Sequence, residues 1–211
     1  MKEFWDERYG GTEYVYGVEP NVFFKESLAS LSPGSMLLPA EGEGRNAVFA
    51  ASIGWKVSAF DQSEQAKRKS DLLAKKRGVQ LDYRVGTLED LAFASESFDA
   101  IGLIYAHFPP ALKESYHRVF HSLLRPGGMI LFEAFSKGNL EYLLKNPNIG
   151  GPKDEDTLFS RDELRDFFSG YELFLLEEKE VVLEEGIFHN GKGLVIRMIA
   201  KKPTRGSRRD I

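Results

Sequence analysis

Glu41-Gly42-Glu43-Gly44-Arg45-Asn46-Ala47 places two glycines and two carboxylates in one short stretch, and Asp61 follows twenty residues after Glu41. Glycine lets a backbone turn sharply and approach a ligand with no Cβ in the way. An acid at that distance, ending the next strand, can accept hydrogen bonds from a ribose diol. It can equally serve the helix that begins at Ser63. His107, beside Phe108 and Pro109, is the histidine that chain order brings to the same edge, either to touch substrate and move a proton or to hold a structural hydrogen bond. His117 and His121 lie four apart on one helix face, as in a zinc pair, but Arg118 stands where a zinc protease has glutamate and no third ligand accompanies them. They read as a partly exposed helix face, no metal site is assigned, and His189 beside Asn190-Gly191 reads as a turn residue.

These residues need elements to hold them. Met36-Leu37-Leu38 is a short apolar run ahead of the glycines, and the pattern predicts a helix over 46–53 that stops at Gly54. Residues 56–60 read as a second strand ending at Asp61. A charged helix over 63–77 follows, with Ser63 at its start and Gly78 just past its end. Further strands are expected over 79–85, 97–105 and 129–134, with a helix from Pro109-Pro110 to about Leu124 and a turn at Arg125-Pro126-Gly127-Gly128. Alternation of this kind forces parallel strands with right-handed crossovers, hence an α/β fold: a doubly wound, Rossmann-like, mostly parallel sheet with helices on both faces. Ser160-Arg161-Asp162-Glu163 matches a capping box opening a helix to about Phe168. Residues 171–184 and 187–201 read as a C-terminal antiparallel hairpin, turning at Glu185-Gly186 or at Asn190-Gly191. The expected layout is an N-terminal helical lid over 1–34, the Rossmann-like domain over 35–202, and a disordered basic tail over 203–211.

The chain has 211 residues and no cysteine, which removes disulfides, thiolate metal sites and cysteine nucleophiles. Its net charge is −4, and residues 1–200 hold 23 basic against 31 acidic side chains, a poor surface for nucleic acid. No apolar run approaches the ~20 residues of a membrane-spanning helix, and acids occupy the start where a secretory signal is apolar, so a cytoplasmic protein is expected. Gly42 to Ala47 fits the dinucleotide fingerprint G-x-G-x-x-G/A, so a nicotinamide dinucleotide and S-adenosylmethionine both compete for the loop. Two glutamates beside the turn would repel a pyrophosphate and welcome a cofactor bearing an ammonium group.

The wider pattern carries a resemblance. The glycine loop, Phe60-Asp61-Gln62-Ser63, Leu88-Glu89-Asp90-Leu91, Ser97-Phe98-Asp99-Ala100 and Leu124-Arg125-Pro126-Gly127-Gly128 together resemble the class I S-adenosylmethionine-dependent methyltransferases. Gly42 to Ala47, Ala106-His107-Phe108-Pro109-Pro110, Trp5-Asp6-Glu7-Arg8-Tyr9 and Tyr16-Gly17-Val18-Glu19-Pro20-Asn21 are similar to the tellurite-resistance (TehB-like) group, related to the thiopurine methyltransferases. The resemblance implies a seven-stranded sheet with its last strand antiparallel. It implies S-adenosylmethionine as cofactor, bound by Glu41, Gly42, Gly44, Arg45, Asp61, Gln62, Thr87, Leu88 and Ala106. It also implies a small-molecule methyl acceptor, a soft sulfur, selenium or tellurium nucleophile among the candidates, with His107 and Tyr16 as catalytic residues. Tyr14 and Tyr16 would belong to a lid, and Glu133, Phe135 and residues 148–153 would wall the acceptor pocket. The sequence departs from the group at Leu38 and Ala40, where an acid and a glycine are usual, and at Thr87, where an acid commonly meets the adenine amino group. Those departures keep a degenerate cofactor-binding regulatory module open beside an NAD(P)-dependent oxidoreductase as the rival readings.

Overall fold

In the computed structural model, which describes residues 2–206, Met36 and Leu38 pack on one face of the first strand and Leu37 on the other, and all three are fully buried. A strand buried on both faces must be covered by helices on both, and the chain supplies them by crossing over after each strand. In chain order the elements are α1 (Lys2–Tyr9), α2 (Val22–Leu28), β1 (Ser35–Pro39), α3 (Arg45–Ser52), β2 (Lys56–Asp61), α4 (Glu64–Arg77), β3 (Asp82–Val85) and β4 (Phe98–Ile104). There follow α5 (Pro110–Leu123), β5 (Leu124–Phe135), α6 (Asn139–Lys145), α7 (Arg161–Phe167), β6 (Glu172–Glu185) and β7 (His189–Lys201), with short 3-10 turns at Pro147–Ile149 and Glu155–Thr157.

The seven strands lie in the order β3-β2-β1-β4-β5-β7-β6. β1 to β5 are parallel, β7 runs antiparallel to β5, and β6 pairs antiparallel with β7. Strand order reverses between β1 and β4, which opens a crevice at their carboxyl ends. α5 and α7 cover one face through Tyr116, Phe120, Leu123 and Leu164, while α2 and α3 cover the other through Phe24, Leu28, Ala47 and Ala50.

Local signals act where expected. Ser63 accepts the Ala66 N–H at 3.1 Å, Gly78 ends α4 in the left-handed region, and Ser160 with Glu163 closes a complete capping box on α7. Three boundaries differ from expectation. β5 begins at Leu124 rather than 129, because Leu124 pairs with Phe98 ahead of a register shift. β3 is shorter than 79–85. The hairpin turns over residues 186–188, so Asn190-Gly191 lies inside β7, paired with Glu184 and Leu183. Of the expected tail, Arg205 lies 2.5 Å from Glu96, whereas Arg208, Arg209 and Asp210 fall outside the described residues.

Gly44 shows how tightly the glycine loop is bound to the helices behind it. It caps α3 at φ +87°, and a Cβ there would lie 2.1 Å from Ser70 Oγ on α4. Gly78 has a similar φ of +70°, with nothing within 4 Å of its Cβ position. Gly78→Ala should therefore cost only the left-handed backbone term, roughly 1 to 2 kcal/mol. Gly44→Ala should cost about 2 to 5 kcal/mol because overpacking adds to it. Denaturant unfolding of both variants checks this, and equal losses would contradict it.

Candidate active site

Beyond β1 the chain must turn back into α3, and three contacts fix that turn. Asp61, ending β2, accepts the Gly42 N–H on Oδ2 and the Ser63 N–H on Oδ1, each at 3.0 Å. Tyr83 of β3 donates to the Gly42 carbonyl at 2.5 Å. Glu41 reaches forward to accept the Ala47 N–H at 2.7 Å, taking the place of a side-chain N-cap on α3. Both carboxylates are buried and line a cavity of about 800 Å³ at the carboxyl edge of the sheet. Burial pushes Glu41 up to about 7, against the opposing pull of the Ala47 N–H and Arg45, and pushes Asp61 up to about 6, against the N–H groups of Ser63 and Gly42.

The N-terminal segment roofs this cavity. Glu43 lines the cavity, accepts the Val15 N–H at 2.7 Å and is paired with Lys69 at 2.7 Å, so both of its oxygens are engaged in anchoring the roof. Asp6 accepts from Ser63 Oγ at 2.6 Å, tying α1 to the start of α4. Tyr16 lines the cavity, whereas Tyr14 turns away to donate to the Lys69 carbonyl.

A second polar network lies across the cavity from Asp61. Glu185, at the end of β6, accepts from Arg45 at 2.8 Å, from Asn21 at 3.0 Å and from His189 Nδ1 at 3.1 Å. These partners outweigh its burial and hold Glu185 down to about 2. Asn21 also donates to Glu133 at 2.6 Å, and Glu133 pairs with Arg197 at 2.5 Å. Glu133 thus supports the wall from beneath, while Phe135 and residues 151–153 of the expected wall do line the cavity.

The sequence candidates divide accordingly. Glu41, Gly42, Arg45, Asp61, Gln62, Thr87, Leu88, His107 and Tyr16 all line the cavity. Gly44 and Ala106 do not: Gly44 faces Ser70, and Ala106 is buried in the core with Leu88 and Phe108. The Thr87 hydroxyl is occupied by Asp90 at 2.7 Å, and the carboxylate that does line the cavity after β3 is Glu89, held by Tyr116. His107 Nδ1 faces the Thr157 carbonyl at 3.2 Å, and its Nε2 faces the Phe135 N–H at 3.4 Å. Burial pushes this ring down to about 4, so it is neutral with both nitrogens engaged. Lys113 fixes the Thr157 loop by donating to the carbonyls of Asp156 and Leu158 at 2.9 and 2.7 Å.

Two histidines differ from expectation. His117 is not exposed; it is buried, stacked on Phe167 at 4.3 Å, with Nδ1 on the Lys113 carbonyl. Among the described residues no group of three His, Cys, Asp or Glu is arranged to hold a metal. His189 is more than a turn residue: it is buried, lines the cavity, and lies against Tyr16 and Tyr105 at ring distances of 4.6 and 4.4 Å. Its only sequence signal was Glu185 four positions earlier, beyond the hairpin turn.

The profile of the family described as "Methyltransferase domain" matches residues 39–128. That stretch runs from the last residue of β1 through β4 and α5 and contains every glycine-loop contact above. Residues 39–128 thus carry a methyltransferase domain. The "Ubiquinone biosynthesis O-methyltransferase" of Chromobacterium violaceum is 30% identical over 124 residues, covering 57% of this chain and 53% of that protein. The protein of the same name from Ruegeria pomeroyi is 31% identical over 94 residues, covering 44% and 38%. The chain thus spans about half or less of these relatives. Among solved structures, one described by "Conversion of a Disulfide Bond into a Thioacetal Group during Echinomycin Biosynthesis" superposes with a TM-score of 0.76 at 21% identity, covering 98% of this chain and 94% of that one. TehB from Haemophilus influenzae superposes at 0.69 with 16% identity, covering 95% and 66%. They share the fold of this methyltransferase domain, with its mostly parallel seven-stranded sheet and antiparallel final strands.

The cofactor of this class is S-adenosylmethionine, and the residues present fit it. Asp61 keeps free lone pairs for a ribose diol, Glu89 offers a carboxylate on the β3 side, and the lack of a Cβ on Gly42 lets the Tyr9 hydroxyl, which also lines the cavity, pack against the turn, 2.8 Å from where that Cβ would lie.

The buried acids give a pH signature. Glu41 and Asp61 titrate higher folded than unfolded, so their contribution is complete below about pH 4 and is lost as pH rises toward 7 and 6, respectively. Glu185 acts oppositely, its contribution being present above about pH 4.5 and lost as pH falls toward 2. The ligand-free chain should lose stability between pH 5 and 8, and Glu41→Gln should remove on the order of 3 kcal/mol of that decline. Denaturant unfolding across this range checks it; parallel curves for wild type and variant would contradict it.

Proposed function

We propose that this chain binds S-adenosylmethionine at the carboxyl ends of β1, β2 and β3 and transfers its methyl group to a small-molecule acceptor beneath Tyr16. When bound, the cofactor supplies a sulfonium-activated methyl, so the protein needs to orient an in-line attack and exclude water. Asp61 is assigned to the ribose, Gly42 and Glu41 to the turn beside it, and Gln62, Thr87 and Leu88 to the nucleoside's flank. Arg45 and Tyr16 bound the end nearest the acceptor. His107 is assigned to positioning, since its two nitrogens hold the Thr157 and Phe135 backbones together. The roof, residues 1–34, is assigned to closure over both ligands.

One observation favours this cofactor over a nicotinamide dinucleotide. A dinucleotide's pyrophosphate sits on the amides at a helix N-terminus. Here the Ala47 amide of α3 is already taken by the Glu41 side chain. The rival of a degenerate module loses its main motive, because carboxylates stand at the cavity after both β1 and β3 although Leu38 and Thr87 are not acidic. The finer reading, a sulfur-type acceptor, draws support from the description of the echinomycin structure, which names a disulfide and a thioacetal, while the relatives' names point to oxygen acceptors.

Titration calorimetry with S-adenosylhomocysteine and with reduced nicotinamide dinucleotide tests this. The first should bind and the second should not, and Asp61→Ala should weaken S-adenosylhomocysteine by about 1 to 3 kcal/mol. Binding of the dinucleotide alone would reverse the assignment.

A further inference from the structure

Two histidine rings border the acceptor end of the cavity, and their hydrogen bonds separate them. His107 has both nitrogens engaged by backbone. His189 has one. Its Nδ1 meets Glu185 Oε2 at 3.1 Å, and Nε2 has no hydrogen-bond partner among the described residues, on a ring that lines the cavity. Glu185 is ionised and can only accept, so the shared proton sits on Nδ1 and the lone pair sits on Nε2. The carboxylate cannot rotate away, because Arg45 holds the same oxygen at 2.8 Å and Asn21 holds the other at 3.0 Å.

We infer that His189, oriented by Glu185, is the general base of this site, and that the acceptor is a neutral small molecule bearing an ionisable S–H or O–H beside a flat ring. The inference rests on the methyl-transfer reading above. The flat ring follows from the walls: Tyr16, Tyr105 and Phe135 surround the imidazole at ring distances of 4.6, 4.4 and 5.4 Å. In the step, the S–H or O–H proton passes to Nε2. The pair it leaves forms the new bond to the methyl carbon, the carbon–sulfonium pair returns to sulfur, and the imidazolium then gives its proton to water. A soft anion would need no base, so this constellation selects an acceptor that arrives protonated.

The groups facing the ring set its charge. Arg45 from α3 and Arg8 from α1 oppose a cationic ring, Glu185 from β6 favours one, and Tyr16, Tyr105 and His107 are the other titratable neighbours. Burial leads these causes and lowers the ring's affinity for a proton, leaving it neutral at pH 7.

Side-chain 15N–1H NMR tests this directly, since the chain has four histidines and each can be assigned by His→Gln substitution. At pH 7.5 His189 should be the Nδ1-protonated neutral ring, and Glu185→Gln should redistribute the proton between its nitrogens. With S-adenosylmethionine bound, the His189 imidazolium should be about tenfold scarcer at a given pH than with S-adenosylhomocysteine, because the two differ by one positive charge at sulfur. A proton on Nε2, or a ring indifferent to which of the two is bound, overturns the inference alone. Failure of both to bind in calorimetry overturns the functional reading and the inference with it. Phenol and phenylmethanethiol, both protonated near neutral pH, separate the two acceptor types. On whichever is turned over, His189→Gln should reduce kcat about 100-fold with KM little changed, and raised pH should recover the loss only if the acceptor itself is ionising. An unchanged kcat would overturn the base assignment.

Discussion

The site depends on carboxylates withdrawn from water. Asp61 and Glu41 sit at the ends of neighbouring parallel strands, and each is tied to the glycine turn by backbone amides rather than by a cation. An unpaired buried carboxylate is unfavourable unless donors surround it. Here only some lone pairs are used, so the ligand-free fold retains acceptors that a diol can complete. The same contacts close the turn, which makes binding capacity and loop geometry one feature.

The opposite wall is built by a different device. Asn21, Arg45, Glu133, Glu185, His189 and Arg197 come from α2's cap, α3, β5 and both arms of the hairpin, and nearly every charge among them has an opposite within hydrogen-bond distance. Such a network resists rearrangement because removing any one member strands another in a dry environment. It therefore fixes the direction of the His189 lone pair more firmly than packing could. The roof is coupled to both walls: Glu43 and Lys69 hold it beside the glycine turn, and Arg45 donates to the Tyr16 carbonyl at 3.2 Å.

The features legible in the sequence were local ones. Alternating apolar runs reported the parallel strands because both faces of β1 and β4 are buried. Ser63, Gly78 and the Ser160–Glu163 box reported helix ends because capping acts within four residues. Asp61 was legible because a crossover has a characteristic length. The illegible features were made by contacts between distant residues. Arg45 meets Glu185 across 140 positions, and nothing in either neighbourhood announces the other. His189 looked like a turn because Asn190-Gly191 is a strong hairpin signal, yet the three-residue turn came just before it and drew that dipeptide into β7. Gly44 was read for its ligand when its real neighbour is Ser70, and His117 was read as exposed although α7 brings Phe167 against it.

A crystal structure with S-adenosylhomocysteine bound tests the central claim most directly. The account predicts the ribose hydroxyls on Asp61, the adenine between Leu88 and the β3 edge, and the sulfur directed toward the space between Tyr16, Tyr105 and His189. A nucleoside found elsewhere on the chain, with Asp61 still bound only to its own backbone donors, would contradict it.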